Sequence, residues 1–261
     1  MHRFITNTVF LGIIFSAFVI RAGAQEAEDQ KSIYHFNGNV SITNNGFSLI
    51  PSFSLGKPAA VAILSVGGER FSLDPQFRFD LEGFKPWTFV FMWRYNLVNT
   101  DKVLIRPGLH FPALSFREQE IEINGEPRES TIPYRYFTPE LTASYMPSAK
   151  VGIGLYYLYG LGLEEQDQTR NMHFISLRAY LNRIFLGDQF YFNWNPQVYY
   201  LNMDGTVGYY AAQSLELGHW KWPVSISSMM NVKLKSDIDT KDFDWNISLI
   251  YSFGGQFSKG K

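Results

Sequence analysis

Charged side chains recur at every second position inside long, otherwise apolar runs, and any chemistry this chain performs must start from them. Successive side chains of a strand point to opposite faces. That places Arg70, Arg78, Arg94, Arg106, Arg178 and Lys233 on the polar faces of their runs, with Asp74, Asp80, Glu140, Glu216 and Asp244. Two outcomes follow. A row of guanidinium and ammonium groups makes a basic track that attracts anionic solutes. Acids and bases this evenly matched can instead pair across a narrow interior and largely close it, and the balance of charge favours pairing. Arg70, Arg78, Arg94, Arg106, Glu140, Arg178, Glu216 and Lys233 are the candidates for a solute path.

Catalytic patterns are weak. Ser54-Leu55-Gly56-Lys57 has the serine–lysine spacing of an acyl enzyme, but the helix start and two companion motifs that chemistry needs are missing. Neither G-x-S-x-G nor H-E-x-x-H occurs. Ser115 lies close to His110 in sequence but on the opposite strand face, so the pair is not a nucleophile and its base. Asp237, Asp239, Asp242 and Asp244 crowd one connection, with His173 at a comparable level. A hydrated acidic loop is the plain reading; a cation site or a protease-like rim is the sharper one. Gly152, Gly154, Gly160 and Gly162 share a face with Tyr156. No helix follows them, so they are expected to make room for neighbouring rings or for sheet curvature. There is no cysteine, which excludes disulfides, thiolate metal sites and a lipidated N-terminus. No metal, cofactor or enzymatic activity is expected.

The elements that must hold these groups are strands. Twelve runs are predicted: 47–55, 59–66, 69–81, 86–98, 102–116, 132–146, 150–163, 172–185, 189–202, 207–218, 223–235 and 242–253. The alternation is clearest in the last, where Phe243, Trp245, Ile247, Leu249, Tyr251 and Phe253 oppose a mostly polar set. It recurs where Phe71, Leu73, Phe77, Phe79 and Leu81 oppose Arg70, Ser72, Asp74, Gln76, Arg78 and Asp80. The longest connector is 117–131, and 164–171 is also long, whereas 147–149 and 186–188 are tight. Residues 33–43 alternate weakly and are left outside the strand count as a leader or arm, since including them makes the count odd.

Aromatic residues make up 17% of the 261 residues and charged residues only 18%. No window outside the N-terminus approaches a membrane helix. Arg3, the apolar core Val9–Ile20 and Ala22-Gly23-Ala24 read as a secretory signal peptide over residues 1–24. A retained transmembrane anchor is the alternative, though the apolar core is short for one. Without Arg3 and Arg21 the chain has 21 basic and 24 acidic residues, a formal charge of −3, which gives no reason to expect nucleic acid. The expected organisation is a polar leader at 25–45, one all-β domain at 46–253 and a short tail at 254–261.

Ile247, Leu249, Tyr251 and Phe253 resemble the C-terminal assembly signal of outer-membrane β-barrels, although Gly254–Lys261 follow the last aromatic residue. With the signal peptide and the repeated alternation, the whole mature chain resembles a small porin-like outer-membrane β-barrel of Gram-negative bacteria. Its layout is similar to that of the small twelve-stranded acidic-sugar porins. The resemblance implies a transmembrane antiparallel up-and-down β-barrel with short periplasmic turns and longer outer loops. It also implies partners in outer-membrane lipid, in the barrel assembly machinery through the C-terminal strand, and in small solutes. Trp87, Trp93, Trp194, Trp245, Tyr251 and Phe253 would then be membrane-interface anchors. The function expected is a narrow pore for small polar or anionic solutes. A closed structural or adhesive barrel acting through its outer loops is the alternative, and an outer-membrane lipid-modifying enzyme or protease a more distant one.

Overall fold

Strands apolar on one face and polar on the other can bury both sets only by closing into a cylinder, and closure also satisfies every ladder N–H and C=O. The computed structural model describes residues 33–123, 126–164 and 168–258, and these form one closed antiparallel barrel. Its strands are β1 (Ile33–Thr43), β2 (Ala59–Gly67), β3 (Phe71–Asp80), β4 (Pro86–Tyr95, resumed at Val98–Asn99), β5 (Val103–Ile123), β6 (Glu126–Tyr145), β7 (Val151–Gly162), β8 (Asn171–Leu186), β9 (Phe190–Met203), β10 (Thr206–His219), β11 (Val224–Ser236) and β12 (Phe243–Ser258). Each pairs with the next. Closure runs through β12 and β1, where the Asn44 N–H donates to the Ile247 carbonyl (3.2 Å) and the Phe36 and Phe253 rings lie 6.1 Å apart.

The strand number is the expected twelve, but one member is exchanged. Residues 33–43, left out of the count, form β1 and pair with β2 from His35↔Gly67 to Thr43↔Ala59. Residues 47–55, counted as a strand, do not extend; they carry only a 3-10 turn at Pro51–Phe53. Proline lacks the ladder N–H, and Gly56 at φ +76° takes the chain out of the extended region. The barrel therefore begins at residue 33, not 46, and the closing partner of β12 is β1. Residues 254–258, expected as a tail, continue β12. The connector 117–131 is not a loop: β5 and β6 pair from Val103↔Tyr145 to Ile123↔Glu126 as one long hairpin, with a register shift between His110 and Ala113. The segment read as a signal peptide, 1–24, and the leader up to residue 32 lie outside the described residues.

Both described chain ends, Ile33 and Ser258, lie at one end of the barrel, with the connections 68–70, 100–102, 146–150, 187–189 and 220–223. The other end carries 44–58, 81–85, the β5–β6 hairpin, 163–170, 204–205 and 237–242. Ile153, Leu155, Ile175, Leu177, Val198, Ile226, Ile247 and Leu249 point outward and are exposed. This apolar surface over the wall is what a lipid-facing band requires. Among the described residues no helix is long and apolar enough to cross a membrane.

Candidate functional site

The inward-facing positions meet in the middle of the barrel around one carboxylate. Glu140 on β6 is buried, with its side chain wholly covered. Arg94 Nε of β4 donates to Glu140 Oε1 (2.6 Å), and Arg94 Nη1 reaches Asp74 Oδ2 of β3 (2.8 Å). His110 Nε2 of β5 lies 2.8 Å from Glu140 Oε2, and the Tyr156 hydroxyl of β7 donates to the same oxygen (2.7 Å). Asp74 also accepts from Ser65 Oγ (2.6 Å) and Ser72 Oγ (3.3 Å). Seven neighbouring side chains are thereby tied together, as a buried charge cluster must be if it is not to be costly.

Three guanidinium groups lie outside this neutralised set. Arg78, Arg106 and Arg178 have no carboxylate within ion-pair distance among the described residues. Arg78 Nη2 donates to Gln76 Oε1 (2.7 Å), and its guanidinium carbon lies 5.0 Å from the Trp87 ring centroid. Arg178 lies over the Tyr156 ring (4.3 Å) and donates through Nε to Gln197 Oε1 (3.1 Å) and Ser176 Oγ (3.3 Å). Arg106 Nε is buried without a hydrogen-bond partner.

The remaining predicted path residues stand apart. Glu216 is held on the far wall by Asn193 Nδ2 (3.1 Å) and Ser225 Oγ (2.7 Å). Lys233 is tied to the rim by Asp242 (2.6 Å) and the Thr240 carbonyl (2.9 Å). Arg70 sits exposed at the β2–β3 turn, where the Tyr95 hydroxyl is 3.4 Å away and holds its pKa above the ordinary value.

The aromatic positions divide. Trp93, Trp245 and Tyr251 are exposed on the outer wall. Trp194 pairs with Gln213 Oε1 (3.0 Å), and Phe253 packs over Gly38, where a Cβ would come within 2.7 Å of the ring. Trp87 is corrected: it is 3% exposed and faces inward, against Arg78 and Gly46. A register shift between Arg78 and Phe79 lies opposite it, so Trp87 and Thr88 are both buried and the strict period of two fails there. The glycines of β7 face inward against side chains: a Cβ at Gly154 would meet the Tyr180 hydroxyl at 2.8 Å, and one at Gly160 the Met172 methyl at 2.6 Å.

The largest departure is the loop 44–58, which folds back into the barrel as a plug. Its neck is pinned by Gly46 N–H to the Lys57 carbonyl (2.7 Å) and Leu55 N–H to the Gly46 carbonyl (2.7 Å). Inside the head, Ser54 Oγ accepts from the Ser48 N–H (2.9 Å) and donates to the Ser48 carbonyl (3.1 Å). Leu49 and Ile50 pack on the cluster that contains Leu158, Phe174, Tyr199 and Tyr210. Phe53 packs on the opposite cluster, 4.9 Å from the Tyr136 ring. The head therefore touches both sides of the lumen. Its polar contacts to the wall are long: Tyr199 hydroxyl to the Leu49 carbonyl at 3.4 Å, Ser115 Oγ to the Ser52 carbonyl at 3.3 Å, and Ser52 Oγ to Thr169 Oγ1 at 3.3 Å. The sequence signal for it was the bracketing of a non-alternating apolar run by Gly46, Pro51, Gly56 and Pro58.

No family model matches the chain, and no curated protein matches it. Solved structures do. The KdgM porin in complex with disordered oligogalacturonate superposes with a TM-score of 0.51 at 11% identity, covering 84% of this chain and 99% of that one. A second KdgM porin structure gives 0.50 with the same identity and coverage. The NanC porin gives 0.47 at 14% identity, over 86% of this chain and 99% of that one. At 11% identity the KdgM likeness shows the fold alone, a closed antiparallel β-barrel.

Proposed function

We propose that the protein works in the outer membrane as a narrow pore for small polar or anionic solutes, with the loop 44–58 as its constriction. The observation that carries this reading is the set Arg78, Arg106 and Arg178, three inward guanidinium groups with no carboxylate at ion-pair distance among the described residues. Burying an unpaired charge is expensive, so an interior that keeps three of them favours passing or resting anions. Arg94 belongs to the wall rather than to the path, because Asp74 and Glu140 already neutralise it. The oligogalacturonate of the KdgM complex is an acidic polymer, which is in keeping with an anionic solute here.

The sides of the membrane follow from the connections. Outer-membrane barrels have short periplasmic turns and longer outer loops. By that rule the described ends, Ile33 and Ser258, face the periplasm, and the plug, the β5–β6 hairpin and the acidic 237–242 connection lie outside. Trp93, Trp245 and Tyr251 serve as interface anchors, and the C-terminal strand β12 is the element offered to the assembly machinery. Residues 1–24 act as the export signal.

Planar-bilayer recording of the refolded full chain tests the pore. Discrete conductance steps with anion-over-cation preference are expected, and the preference should fall in Arg78→Gln and Arg178→Gln. Folded protein that never conducts, even after removal of the plug head, would leave the closed-barrel reading in its place.

A further inference from the structure

Between the plug and the Glu140 cluster lies a cavity of about 420 Å³ whose two ends differ in chemistry. Its upper wall is apolar, formed by Phe47, Leu49, Ile50 and Phe53 of the plug and by Leu158 and Phe174 of the barrel. Arg78 and Arg178 also line it, as does the already neutralised Arg94. Ser48, Gln76, Thr88, His110 and Thr138 add polar groups to the lining, so a cavity of this size offers both an apolar and a polar surface, as small-molecule sites do. We propose that this cavity binds a compact organic anion with a flat apolar body, an aryl carboxylate, with its acid group on Arg78 and Arg178 and its ring beneath the plug. The inference rests on the pore reading and specifies its solute.

The two arginines are built for a planar anion. Each is held from one side, Arg178 by the Tyr156 face and by Gln197 at Nε, Arg78 by the Trp87 face and by Gln76 at Nη2. Arg178 Nη1 and Nη2, and Arg78 Nη1, have no hydrogen-bond partner among the described residues. Oriented guanidinium forks with free N–H groups take a carboxylate through paired, charge-assisted hydrogen bonds. The apolar end selects against sugars. Hydroxyl groups directed at Leu49, Ile50, Leu158 and Phe174 would give up water against apolar side chains, with Ser48, Thr88 and Thr138 as polar neighbours in the same lining. The plug supplies one face of the site, so an occupant is held between a chain segment and the wall. A bound ligand therefore favours the docked plug and lowers conductance.

The test is calorimetric titration of the folded full chain in detergent with phenylacetate, benzyl alcohol and galacturonate as probes. Phenylacetate is expected to bind once per barrel, with galacturonate and benzyl alcohol each about tenfold or more weaker. Arg78→Gln and Arg178→Gln should each weaken phenylacetate by about tenfold or more, the scale of a lost charge-assisted pair. Met92→Trp fills the cavity from a wall position whose sulfur contacts Arg94 Nη2 (3.3 Å) and neither Arg78 nor Arg178; it should abolish binding and serves if an arginine variant does not fold. Equal binding of galacturonate, no binding of phenylacetate to folded protein, or binding indifferent to these variants would overturn the assignment. Bilayer recording separates the two readings. Anion currents without any phenylacetate binding keep the pore and remove this site; binding without currents keeps the site and removes the pore.

Discussion

Removal of the plug head is the perturbation that reaches furthest into this structure. Replacing residues 47–54 with a two-residue Gly-Ser link should leave the barrel intact, because the neck already brings Gly46 and Leu55 within hydrogen-bond distance (2.7 Å). The energetic balance of docking can be worked from the contacts. Four apolar side chains, Phe47, Leu49, Ile50 and Phe53, leave water on docking, at about 1.5–3 kcal/mol each when burial is complete. Their combined contribution is then about 6–12 kcal/mol. Fixing eight backbone residues costs about 1–2 kcal/mol each, or about 8–16 kcal/mol. The head recovers part of that through its own Ser48–Ser54 hydrogen bonds. The two sides lie within a few kcal/mol of each other, and the long 3.3–3.4 Å contacts to the wall add little. A two-state equilibrium of that size populates its minor state at about 0.1–10%. Because the docked head is the arrangement the structure shows, single-channel recording should show the intact protein closed for most of the time with brief openings. The deleted form should be open almost continuously, a rise in mean current of about tenfold or more. A deleted barrel that is folded, judged by heat-dependent gel mobility, yet shows the same closed baseline would refute the reasoning and place the seal at the Glu140 cluster instead.

Other outcomes follow from single contacts. Leu49→Asp combined with Ile50→Asp should undock the head without shortening the chain, raising the open fraction in the same recordings. Glu140→Ala leaves Arg94 with Asp74 alone and strips His110 and Tyr156 of their common partner. Breaking such a buried pair typically costs about 3–5 kcal/mol, readable as a lower urea midpoint of the refolded barrel. From the 81–85 connection, Lys85 bonds Glu118 of the β5–β6 hairpin and lies 3.7 Å from Glu129, and Glu118 is held below the ordinary carboxylate range by that bond. A depressed carboxylate contributes above its unfolded pKa and loses that contribution as pH falls through its folded value. Amide exchange over residues 118–122 and 127–131 should accordingly quicken in acid, and Lys85→Ala should produce the same quickening at neutral pH. Gly46→Val should displace the neck, since a Cβ there would stand 2.9 Å from the Trp87 ring, and should increase the open fraction.

The sequence by itself determined what the period of two can carry: an all-antiparallel barrel, an outer apolar band, and the inward turn of Arg78, Arg94, Arg106, Glu140 and Arg178. Side-chain direction in a strand is local, and closure follows once nearly every strand has one apolar face. The fold of the strand ends was less local. The weak alternation of β1 could not show that β12 would need it as a closing partner, nor could a charged stretch such as 117–131 show that its residues pair. Trp87 was misplaced because a register shift depends on the strand opposite. Only the tertiary structure decided which charges are spent. Glu140 collects Arg94, His110 and Tyr156 from three strands, and Arg78, Arg106 and Arg178 are left with no acid at ion-pair distance among the described residues. Only the tertiary structure, too, turned residues 44–58 inward. The enclosed lumen offers Leu49 and Ile50 the surface of Phe174, Tyr199 and Tyr210 from three strands, and Phe53 that of Tyr136 on the opposite side, a combination that no stretch of sequence contains.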